Sequence, residues 1–66
     1  MRYHATVHND NNDTVIECHV FADDTGHARE KIKAHLRVNG LQEQAKMNIA
    51  LVETREDIAT DFLVIK

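Results

Sequence analysis

The chain has no proline, no tryptophan, one cysteine and two glycines among its 66 residues. A lone Cys18 cannot close an internal bridge, which excludes a disulfide-stapled secreted scaffold and favours a reducing compartment. Without proline and with scarce glycine there is no linker, repeat or low-complexity tract, so residues 1–66 are expected to form one compact domain. The longest apolar run, FLVI at 62 to 65, is far too short to cross a bilayer. Met1 opens on alternating polar and apolar residues rather than a basic, then continuously apolar leader, so a cytoplasmic protein without a membrane partner is expected. No glycine-rich phosphate loop follows a strand, and no nucleophile sits beside a predictable base. The chain therefore reads as a non-enzyme with no cofactor and no small-molecule substrate.

Basic charge is also in short supply: Lys and Arg number 8 against 11 Asp and Glu, a formal charge of −3. The four cations Arg29, Lys31, Lys33 and Arg37 nevertheless lie together with only Glu30 among them, a local +3 that leaves −6 elsewhere. They offer phosphate contacts along one helix, but aromatic residues to stack bases are nearly absent there. RNA binding by this basic face is the alternative to a protein partner.

What is present is clear periodicity. Tyr3, Ala5 and Val7 alternate with Arg2, His4, Thr6 and His8, and Ile16, Cys18 and Val20 repeat the pattern, as two strands with one buried face do. Asn11-Asn12 can supply the positive φ angles of a two-residue type I′ turn. That turn pairs Val7 with Ile16, Ala5 with Cys18 and Tyr3 with Val20. On the opposite face it sets His4 beside His19, Thr6 beside Glu17 and His8 beside Val15. Asp23, Asp24 or Thr25 can cap a helix starting near Gly26, with Ala28, Ile32, His35 and Leu36 on its apolar stripe. Gly40 suits the left-handed position past its end, with Leu41 reaching back to Leu36 in a Schellman stop.

A third strand is expected around Met47, Ile49 and Leu51, and a turn at Arg55-Glu56-Asp57 returns the chain into a fourth strand, roughly 59 to 66. A loop of two or four residues sets Leu51 opposite Phe62 and Ile49 opposite Val64, the arrangement favoured by this reading; a three-residue loop would turn Leu63 and Ile65 to the core instead. The expected fold is thus α+β, ββαββ, a four-stranded antiparallel sheet with one amphipathic helix on one face.

A single helix covers one side of such a sheet, so the other side is free to meet a protein partner or a second copy. The expected contact residues are Phe21, Val52, Leu63 and Ile65, rimmed by Asp10, Asp13, Glu56 and Asp57. His4, His19 and Glu17 form a candidate metal-binding trio on the same face, although zinc sites usually draw on four Cys or His ligands at tight spacings. The NDNNDT segment lacks the following glycine and distal glutamate of an EF-hand loop.

The run VFADDTGHAREKIKAHL followed by MNIALVE resembles the strand, acidic cap, A-x-x-K-I helix and strand of a family of small archaeal ribosomal proteins. It is also similar in outline to the small T7-like phage inhibitors of bacterial RNA polymerase, with their hairpin, single helix and further strand. The first resemblance implies rRNA binding, with which the acidic charge is at odds. The second implies a phage or mobile-element protein that inhibits or adapts a larger host complex, and it agrees with the size and acidity of the chain.

Overall fold

The computed structural model describes residues 1–55, 57 and 62–66. Along these residues run β1 (Arg2–His8), β2 (Thr14–Phe21), α1 (Thr25–Val38), the single turn α2 (Gln42–Ala45), β3 (Asn48–Glu53) and β4 (Leu63–Ile65). The strands form one open sheet in the order β3-β1-β2-β4.

The central hairpin has the expected register, with Tyr3 beside Val20, Ala5 beside Cys18, Val7 beside Ile16 and His4 beside His19. It reaches that register by another route. Of the two turn asparagines Asn11 and Asn12, only Asn12 takes a positive φ, 65°. Asn12 donates its N–H to Asn9 O at 2.9 Å, and Asn9 donates to Asp13 O at 3.1 Å, so three residues, not two, form the loop. The Asn9 side chain ties the turn by accepting from the N–H groups of Asn11 and Asp13, both at 3.0 Å. His8 then pairs with Thr14 while Val7 pairs with Ile16, leaving Val15 as a bulged extra residue. The longer loop and the bulge offset each other, so the apolar face stays in phase.

Helix α1 begins where its cap chemistry dictates: Asp24 accepts the N–H of His27 at 2.8 Å, satisfying a donor that no helical carbonyl can reach. It ends as a Schellman motif. Leu41 N–H bonds to Leu36 O at 2.7 Å and Gly40 N–H to Arg37 O at 3.2 Å, with Gly40 at φ 75°. Ala28, Ile32 and Leu36 are fully buried against Tyr3, Ala5, Val7, Cys18 and Val20, the inward residues of β1 and β2. Each buried Val, Leu or Ile contributes roughly 1.5–3 kcal/mol relative to exposure, so this one layer is the main source of stability in so short a chain. Ala45 of α2, a turn not anticipated from the sequence, closes one end of the same core.

The sheet is mixed, not antiparallel throughout. β3 pairs antiparallel with β1, but β4 pairs parallel with β2, setting Cys18 beside Leu63, His19 beside Val64 and Val20 beside Ile65. β3 and β4 therefore occupy opposite edges and form no hairpin. The expected pairings of Leu51 with Phe62 and Ile49 with Val64 do not occur. The reason is geometric: periodicity assigns residues to a face, not strands to neighbours. Nine residues, 54–62, separate the two strands. At roughly 3.3 Å per residue they reach easily across the three inter-strand spacings, each about 4.8 Å. Ile65 consequently lies in the core, 9% exposed, which corrects its expected place on the uncovered face.

Candidate protein-binding surface

Helix α1 lies on one side of the sheet, and the opposite side carries Arg2, His4, Thr6 and His8 from β1 beside Glu17, His19 and Phe21 from β2. His4 and His19 converge there, their rings stacked at 5.2 Å with a 24° interplanar angle. Phe62 packs edge-on to both, 5.1 Å from His19 and 6.0 Å from His4. This ring roofs the middle of the face and leaves His19 only 5% exposed. The edge-to-face arrangement sets the positive rim of one ring against the negative face of another.

His4 and His8 have local partners, whereas among the described residues Arg2 Nε and Nη2 are buried with none. His4 Nε2 and Glu17 Oε1 lie 2.9 Å apart, a half-exposed pair. His8 sits between two hydroxyls, Thr6 Oγ1 at 2.9 Å and Thr14 Oγ1 at 3.4 Å. Among the described residues no group of three or more His, Cys, Asp or Glu side chains is arranged to hold a metal ion. The His4, His19 and Glu17 trio is instead an aromatic stack with a carboxylate on its flank.

The expected contact residues do not form one patch. Val52 is 63% exposed and neighbours His4, whereas Phe21, 39% exposed, neighbours Arg2; two β1 residues separate them. Leu63 is exposed but pairs with Cys18, away from both. Asp10 and Asp13 are exposed in the hairpin loop, at the opposite end of β2 from Phe21. Asp57 is exposed, and Glu56 lies outside the described residues.

The apolar concavity lies elsewhere. Val15, Ile16, Glu17, Phe62 and Leu63 line an open groove of about 480 Å³. It arises because the ladder with β4 begins only at Cys18, leaving the Thr14–Glu17 stretch of β2 as an uncovered edge among the described residues. The bulge at Val15 turns that side chain outward, 43% exposed. Sequence reasoning missed the groove because neither the bulge nor the parallel placement of β4 has a periodic signature.

The basic helix does not present its four cations as one free face. Arg29 Nη2 donates to Ile49 O at 3.2 Å, and Lys31 Nζ donates to Phe21 O at 2.6 Å, so these two clamp α1 to β3 and to the end of β2. Arg37 is exposed and Lys33 partly so. Cys18 is fully buried; burial, with a lesser effect of the Glu17 charge, pushes its thiol up to about 11, the opposite of what a nucleophile needs.

Among the described residues no helix is long and apolar enough to cross a membrane. Comparison with protein-family models, curated proteins and solved structures returns no match.

Proposed function

We propose that the chain is a non-enzymatic protein-binding module that seats an extended apolar segment of a larger assembly in the groove between β2 and β4. The observation that carries this reading is the groove itself: apolar side chains of Val15, Ile16, Phe62 and Leu63 flank a strand edge unpaired among the described residues, which is what strand addition uses for affinity and side-chain choice. Glu17 lines the groove, and Asp13 stands two residues before Val15, so basic residues flanking the apolar segment would complement it. A host-complex inhibitor or adaptor encoded by a phage or mobile element fits a module of this size without catalytic equipment. The protein reading is preferred over RNA because Arg29 and Lys31 are already engaged with backbone carbonyls and the net charge is −3.

The test is capture from cells that contain the protein, comparing the native chain with Val15→Lys and Leu63→Lys. Both positions are exposed, so the circular-dichroism spectrum should not change. A protein retained by the native chain and lost with both variants supports the groove as its seat. Identical captured sets from all three chains reject it.

A further inference from the structure

Among the described residues the second open edge of the sheet is β3, and its geometry is self-complementary. Thr54 donates its N–H to Arg2 O at 3.0 Å, so even-numbered residues of this stretch turn their backbone groups toward β1. By alternation, Ile49, Leu51 and Glu53 point theirs outward, beyond the last strand. Arg29 reaching Ile49 O agrees with that direction. Between Asn48 and Glu53 this edge carries only Ile49, Ala50, Leu51 and Val52, an uncharged, strand-favouring run of the kind that recruits another strand.

Two opposite charges flank the run. Arg29 stands over Ile49 on the helix side of the sheet, and Glu53, level with Tyr3, lies on that same side. Among the described residues the ion pairs are His4 with Glu17 and His27 with Asp23, and neither Arg29 nor Glu53 has a carboxylate or cationic partner among them.

We propose that two copies of the chain pair antiparallel through β3 about a two-fold axis at Leu51. This inference rests on the binding-module reading and names a second copy as the partner at this edge. Leu51 then faces its counterpart, and Ile49 faces the partner's Glu53. That carboxylate comes to the side of the sheet where Arg29 stands, with the paired Cβ atoms roughly 5.5 Å apart. The guanidinium has five donors and keeps its bond to Ile49 O while taking the carboxylate. By the two-fold, this contact forms twice. On the other face Ala50 meets the partner's Val52, removing the most exposed valine of the sheet from water. The charges select the register: an axis at Glu53 would set two carboxylates against each other, and one at Ile49 would leave both ions unmatched. Of the outward backbone groups of Ile49, Leu51 and Glu53 on each edge, all but Ile49 O, which already accepts from Arg29, gain a first partner at once.

The purified 66-residue chain is examined by sedimentation velocity from micromolar to millimolar concentration at low salt. The expected result is a concentration-dependent dimer, weakened about tenfold or more by Glu53→Arg and by Arg29→Glu, and restored by combining them. A chain that is monomeric throughout overturns the proposal and leaves the edge to an unrelated strand. A double reversal as weak as either single one also overturns it. Because Arg29→Glu also removes the bond to Ile49, a second measurement uses exposed positions only. An A50C chain mixed with a V52C chain should form a mixed disulfide faster than either alone, since these residues face each other at a Cα separation of about 4.5 Å. Equal rates in all three samples reject the register. Buried Cys18 does not interfere. Failure here is read on the purified chain alone, so it is distinguishable from failure of the groove, which is read by capture with Val15→Lys and Leu63→Lys.

Discussion

Ile65 lies beside Val20 in a parallel ladder, both on the side of the sheet that meets α1, and this contact ties the last strand into the core. β4 is only three residues long, so its anchorage depends on the side chain more than on its hydrogen bonds. Ile65→Ala should therefore destabilise the fold by about 2–4 kcal/mol, through lost transfer energy and a residual cavity. Urea denaturation monitored by circular dichroism measures it; a loss below about 1 kcal/mol would show that β4 is dispensable to the core.

Gly40 has nothing within 4 Å of where a Cβ would stand, so its substitution meets conformational strain and no clash. At φ 75°, Gly40→Ala should cost about 1 kcal/mol and lower Tm by about 4–8 °C, with Gly40→Asn costing less. Thermal unfolding of the two variants checks the order; equal Tm values would contradict the Schellman assignment.

The Asp24 carboxylate caps the start of α1 by accepting the N–H of His27. Asp24→Ala should cost about 1 kcal/mol, and Asp24→Asn, which keeps an acceptor oxygen, a few tenths. Denaturant midpoints for these two variants test the assignment. A midpoint for Asp24→Asn as low as that for Asp24→Ala would point to charge against the helix dipole instead of the hydrogen bond.

For Cys18 the sign follows from burial. The folded thiol titrates at about 11 against an ordinary value of 9.0, so between these limits the unfolded chain has lost a proton that the folded chain retains. Stability should be unaffected by this group below pH 9 and fall as pH rises toward 11, with a slope approaching about 1.4 kcal/mol per pH unit. Tyr3, raised by burial and by the charges of Glu53 and Asp24, adds a loss of the same sign. The difference between the native chain and Cys18→Ala isolates the thiol. Parallel stability curves for the two from pH 8 to 11 would remove the effect. Modification by a thiol reagent at pH 8 should likewise be slow until denaturant is added.

The legible parts of this molecule are those whose determinants are close in sequence. Alternation at Tyr3, Ala5 and Val7 announces a strand face, and Asp24, Gly40 and Leu41 announce the two ends of a helix. The hairpin register was readable although its turn was not: a third loop residue and the bulge at Val15 each shift the phase by one, and the two shifts cancel. The candidate surface was much less legible. His4 and His19 were correctly set side by side, but nothing local indicated that Phe62 would lie across them, or that Ile65 would turn to the core.

By itself, the sequence determined which residues turn inward on β1, β2 and α1, where the helix starts and stops, and that one sheet and one long helix would share a thin core. These follow from side-chain period, capping and backbone preference, all set within a few residues. Tertiary structure alone decided which strand borders which. A linker of nine residues can reach either edge of a sheet this narrow, and the choice falls to packing: under α1 beside Val20 there is a place for Ile65, and over the stacked histidines there is one for Phe62.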